Sequence, residues 1–185
     1  MKLFKYIFVL TIIALFTSCA QAEPFAPHDN TNLLIRSKNL FSLSTLLVSQ
    51  SEVYIGDVFS RLYYGYYHLG RLIFSNKFGY EFDSHNHVWK KMEEPIKEFG
   101  YSMKSLREKY DYKPLSPREV TEQSKDDLKL IIDTNKFDEI ILELRTTLNE
   151  SNYYSQKEKD LLLLEIILVE KEHTSLIDEL QQRVH

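Results

Sequence analysis

The segment from Ile55 to Ile73 splits in two on a helical wheel, and that split constrains the fold more than anything else in the chain. At about 100° per residue, Ile55, Val58, Phe59, Leu62, Tyr63, Tyr66, Leu69, Gly70 and Ile73 fall on one side. Asp57, Arg61, Tyr64, His68 and Arg71 stack in a narrow stripe opposite. A helix with so long an apolar face needs other elements around it. The tyrosines therefore divide: Tyr63 and Tyr66 belong to a core, and Tyr64 to a polar face. Gly70 sits on the apolar side, where it costs about 1 kcal/mol of helix propensity; close approach of a neighbouring helix accounts for it.

The rest of the chain reads the same way. Leu33, Leu40, Leu43 and Leu47 recur at helical spacing in a helix over 33–49. A helix over 52–75 carries the divided segment. "DSHNHVWKKMEE" opens a third, capped by Asp83 or Ser84, with Val88, Met92 and Ile96 on one face and Pro95 ending or bending it. A short helix over 102–110 follows. "SPRE" (Ser116–Glu119) has a Ser cap, Pro in the first helical position and Glu three after the cap, and starts a helix to 133 that resumes after a defect to 148. "SQKE" (Ser155–Glu158) is a second capping box and starts the last helix. Its stripe Leu162, Ile166, Val169, His173, Ile177, Leu180 and Val184 requires a partner surface, either the bundle or another chain. With five Gly, five Pro and no strand alternation, the chain is all-α.

The N-terminus has the layout of an export signal: Lys2 and Lys5, an apolar run from Ile7 to Phe16, then "TSCAQAEP". That run is too short for a stable membrane span. Two processing sites fit. "AQA" (Ala20–Ala22) has the small-x-small pattern of ordinary signal peptidase, whereas "LFTSC" (Leu15–Cys19) resembles a lipobox, which would make Cys19 the lipid attachment point and the only link to a membrane. Either way the expected location is extracytoplasmic: periplasm, envelope or secreted. The single cysteine precludes an intramolecular disulfide. Loss of residues 1–22 removes two lysines and takes the net charge from -4 to -6, against general nucleic-acid binding but compatible with a local basic patch. Residues 23–32 read as a polar linker.

"FSRLYYGYYHLGRLIF" (Phe59–Phe74) resembles the second-helix signature of the HEPN superfamily, Ser-Arg-x-Tyr-Tyr-x-x-x-His. "SHNHVWKKM" (Ser84–Met92) is similar to the segment that opens that superfamily's third helix, and "LREKYDYKPLSPREV" (Leu106–Val120) to its Arg-x-x-Ala-Asp-Tyr segment with the following turn. The likeness covers residues 33–148. It implies an up-and-down bundle of four to five helices, often dimeric, and leaves 149–185 as an additional C-terminal helix. Many HEPN proteins are metal-independent ribonucleases with Arg, four to six residues, then His. Arg107 matches the arginine, but Tyr112 stands where the histidine is expected, and 102–152 contains no His. With an unperturbed pKa of about 10, tyrosine is a poor general base at neutral pH. The chain thus resembles the Arg-x-x-x-Asp-Tyr branch, which implies binding or assembly rather than cleavage.

Two accounts of the polar residues stand side by side. In one, Arg61, Tyr64, His68, Arg71, Arg107, Asp111 and Tyr112 form a ligand surface for a nucleotide, an RNA or a protein partner, with no catalytic residue assigned. In the other, Asp57–Arg61 and similar pairs at helical spacing are a solvated face, and Arg107, Asp111 and Tyr112 pin a helix end. His68 or His85 could replace the missing ribonuclease histidine, but the sequence places neither beside Arg107. His85 and His87 point about 200° apart on a helix, unsuited to holding one metal ion. No cofactor motif is present, and Trp89 reads as core.

Overall fold

The amphipathic segments fold as helices that pack their apolar faces together. The computed structural model describes residues 27–50, 55–80, 84–111, 124–132 and 134–184, with the side chains of 27–29, 125, 134, 135 and 184 excepted. Among them the helices are α1 (Pro27–Val48), α2 (Ile55–Phe78), α3 (His85–Lys90), α4 (Glu94–Asp111), α5 (Lys125–Ile132), α6 (Thr134–Glu150) and α7 (Gln156–Val184), and no strand is present. The protein is an all-α helical bundle.

Side-chain contacts fix the directions of the long helices. Ser37 Oγ donates to the Gly65 carbonyl (3.0 Å) and Ser75 Oγ to Asn30 Oδ1 (3.4 Å), so α1 and α2 are antiparallel. Phe59 stacks on Tyr110 and Tyr66 meets Phe99, so α2 and α4 are antiparallel too. Tyr66 meets Phe137, and Asn76 Nδ2 donates to Thr147 Oγ1 (3.5 Å), which sets α6 parallel to α2. Phe137 stacks on His173 while Arg145 pairs with Glu170, reversing the direction again for α7. The long helices therefore run up, down, up, down, up. The C-terminal helix is a full member of this bundle and packs mainly along α1. Its end is tied back where Arg183 Nη2 donates to the Ser49 (2.9 Å) and Gln50 (3.2 Å) carbonyls, a cation at the C-terminal end of α1.

α2 lies at the centre, against α1, α3, α4 and α6. Every residue placed on its apolar side by the wheel is buried, and the last helix likewise buries Leu162, Ile166, Val169, His173, Ile177 and Leu180. Trp89, fully buried, fits between two glycines: a Cβ on Gly70 would stand 2.8 Å from its ring, and one on Gly100 would overlap it. The close approach expected at Gly70 is thus made by one indole from the short α3. In the capping box of α7, the Ser155 N–H donates to Glu158 Oε2 (2.7 Å) and the Glu158 N–H to Ser155 Oγ (3.4 Å).

Three expectations are corrected. Helix α1 begins at Pro27, inside the stretch read as linker, and Asn30 is buried there. Its inner stripe is Asn30, Leu34, Ser37, Phe41, Ser44 and Val48; of the leucines expected to face inward, Leu33 is buried and Leu47 packs against the core, whereas Leu43 is 38% exposed. Polar side chains occupy alternate positions of that stripe, so hydropathy located only its edge. Pro95 starts a helix rather than ending one: it lies in the first turn of α4, where a missing N–H breaks no helical bond. Consequently the helix expected over 102–110 extends back to Glu94. Residues 1–22, Cys19, Tyr112 and the "SPRE" box lie outside the described residues. No helix among the described residues is long and apolar enough to cross a membrane.

Candidate functional site

The face of α2 opposite the core carries the polar stripe. Arg61, Tyr64, His68 and Arg71 are half-buried, and Asp57 at the N-terminal end is exposed. The expected Asp57–Arg61 ion pair does not form among the described residues. Instead the Nε of Arg61 and the Nδ1 of His68 are buried without a hydrogen-bond partner among the described residues.

His68 lies among like charges. Burial, with Arg71, Arg36 and His85 adding to it, lowers its pKa to about 4, so the ring is neutral at neutral pH. Arg36 comes from α1, exposed on the flank of that helix nearest the stripe, and makes no ion pair among the described residues. It was not singled out from the sequence, because its neighbours on α2 lie 25 or more positions away.

At the other end, α4 brings in Arg107. Its guanidinium lies 5.0 Å from the centre of the Tyr64 ring and 5.6 Å from that of Tyr63, in cation–π range. Its Nε also donates to Asp111 Oδ2 at 2.8 Å, one turn along the same helix. The helix-end pin read from Arg107 and Asp111 is therefore formed, and it leaves the guanidinium on the tyrosines. Asp111 belongs to this site only as the partner of Arg107.

The short α3 supplies His85. Its ring stacks on Tyr67 (3.9 Å between centres, 5° between planes) and meets the Tyr64 ring at 5.6 Å. Tyr63 Oη and His85 Nδ1 are 2.6 Å apart, and the Trp89 indole N–H donates to the same phenol at 3.5 Å. Burial, partly offset by the Trp89 bond and Arg107, pushes the Tyr63 hydroxyl up to about 12, so it stays a phenol. Arg107 and His85 thus flank one pair of tyrosines, a juxtaposition the sequence could not supply. His87 faces Phe74 instead (5.6 Å), so the two histidines of α3 have separate neighbours. No group of three or more His, Cys, Asp or Glu is arranged around a common point among the described residues.

The stripe therefore runs from Arg107 over Tyr64 and His85 to His68, Arg71 and Arg36, with Arg61 beside it. Its chemistry is that of an anion acceptor with aromatic edges: guanidinium N–H donors, imidazoles and phenols, and the Asp111 carboxylate at the Arg107 end. No protein-family model, curated protein or solved structure matches this chain.

Proposed function

We propose that the protein is an exported, HEPN-like helical binding module that holds a phosphate-bearing ligand on the α2 stripe and performs no catalysis of its own. The observation that carries this reading is the pair of buried groups without a partner among the described residues, Arg61 Nε and His68 Nδ1, beside Arg36, which makes no ion pair among them either. Each such group costs the fold about 1–3 kcal/mol that a bound anion would recover. The phosphate of a nucleotide or of RNA has the acceptor geometry to meet guanidinium donors, and Tyr64 offers a ring edge for a base.

The experiment is an NMR titration of the His68 ring with pyrophosphate, a nucleoside monophosphate and a short oligoribonucleotide. Binding raises the pKa of His68 from about 4 by one unit or more, since an anion replaces surrounding positive charge. Arg61→Ala and Arg71→Ala abolish the rise. A ring that titrates identically with all three ligands ends the proposal.

A second reading is favoured by the placement of His85 across the tyrosines from Arg107: a divergent metal-independent ribonuclease. Purified protein that cleaves RNA, with cleavage lost in both Arg107→Ala and His85→Ala, would establish it in place of the binding module. Export and the Cys19 anchor are tested separately, by palmitate labelling of wild type against Cys19→Ala.

A further inference from the structure

The longest helix has a second side that the bundle leaves open. On α7, Leu161, Leu164 and Leu168 are 55%, 60% and 42% exposed, and Ile167 beside them is 52% exposed. They are flanked in the same register by exposed Lys157, Lys171 and Ser175. The order 157, 161, 164, 168, 171, 175 alternates steps of four and three, the spacing of a coiled-coil seam. This seam lies opposite the stripe that packs into the bundle, so no described helix of the same chain covers it. Scattered exposed leucines are ordinary on protein surfaces; a run of them at heptad spacing on one helix is not.

The charges around the run indicate what covers it. If two copies of α7 lie antiparallel about a two-fold axis between positions 164 and 165, Leu161 of one meets Leu168 of the other. Lys157 then meets Glu172, and Glu158 meets Lys171, each twice by symmetry. Lys157, Lys171 and Glu172 have no ion pair among the described residues of their own chain, so these charges remain to be matched across an interface. A parallel pairing would oppose Lys157 to Lys157 and Lys171 to Lys171. The same residues thus favour one orientation and penalise the other, as the flanking charges of coiled coils do.

We infer that the protein forms a symmetric dimer through an antiparallel pairing of α7, with Leu161, Leu164 and Leu168 as the buried seam and Lys157–Glu172 setting the register. This inference does not depend on the phosphate reading, since the seam and the α2 stripe share no residue.

Sedimentation of the full chain across a concentration series is the test. Wild type has twice the 21.9 kDa mass of one chain. Leu164→Glu, at an already exposed position, weakens association about 100-fold or more with an unchanged helical spectrum and melting temperature. Glu172→Lys weakens it about tenfold, and the double variant Lys157→Glu/Glu172→Lys returns it to near wild type. A monomer at every concentration overturns the inference, as when another part of the chain, such as Ile7–Phe16, occupies the seam. So does a dimer indifferent to Leu164→Glu. A dimer that Leu164→Glu breaks but the double reversal fails to restore overturns the antiparallel pairing.

Discussion

The two sides of α2 bury polar groups in opposite ways. On the core side every such group has a partner. Tyr66 Oη and His173 Nε2 are 2.8 Å apart in the centre of the bundle, with the imidazole stacked on Phe137. Nearby, Asn30 Nδ2 donates to the Tyr154 hydroxyl, Tyr154 donates to Asn76 Oδ1 (2.8 Å), and Asn76 Nδ2 donates to Thr147 Oγ1 (3.5 Å). This chain of bonds ties α1, α2, α6 and the α6–α7 turn together. On the stripe side, Arg61 and His68 keep buried nitrogens with no partner among the described residues. Paired polar groups hold a fold in one arrangement, whereas unpaired ones lower its stability and persist where a ligand completes them. One helix thus separates structural polarity from functional polarity by face.

The largest expected effect lies at the joint between the faces. Trp89→Ala removes the indole between Gly70 and Gly100 and lowers stability by about 3–5 kcal/mol, measured by urea unfolding followed by circular dichroism. A loss below about 1 kcal/mol would show that the core side does not depend on this wedge.

Acid comes next. Burial holds the pKa of His173 at about 3, below its unfolded value of 6.5, so the unfolded chain binds the proton first. The stabilising contribution is complete above pH 6.5 and is lost as pH falls toward 3, by a few kcal/mol. His68, at about 4, adds a smaller loss of the same sign. The variant Tyr66→Phe/His173→Phe replaces both partners by apolar rings, stays near wild-type stability at neutral pH and flattens most of the acid dependence. An acid profile unchanged by that substitution would move the titrating group elsewhere.

Asn76→Ala interrupts the relay by removing the Asn76 acceptor of the Tyr154 hydroxyl and the donor to Thr147, for a loss of about 1–3 kcal/mol in the same unfolding assay. Arg61→Ala, on the opposite side of the helix, removes an unpartnered group and raises stability by up to about 1–3 kcal/mol while weakening phosphate binding. If Arg61→Ala costs as much as Asn76→Ala, the two faces do not differ in the way described, and the stripe belongs to the scaffold.

What could be read from the sequence follows the range of each interaction. The division of α2 and the buried stripe of α7 were legible because both depend on a period within one helix. The Ser155–Glu158 cap was legible because its two bonds close within three residues. The inner stripe of α1 was not: Asn30 and Ser37 are buried on the strength of partners elsewhere in the bundle and Ser44 on the Leu40 carbonyl one turn back, and hydropathy cannot register that. Asn30 meets Tyr154 across 124 positions. The site shows the same limit. Arg61, Tyr64, His68 and Arg71 were found together because they share a helix, whereas Arg36, His85 and Arg107 join them through three other helices. The expected Asp57–Arg61 pair failed because spacing makes a pair available without making it the best partner.

The wedge between Gly70 and Gly100 also makes the protein its own optical instrument. Trp89 is the only tryptophan among twelve tyrosines, so its emission comes from one known place. That place is dry, yet its indole N–H reaches Tyr63, whose phenol meets His85 and whose ring lies under Arg107. A change in charge on the stripe is therefore two hydrogen bonds from the fluorophore. Unlabelled protein can report in one cuvette both when its interior opens and when its surface is occupied.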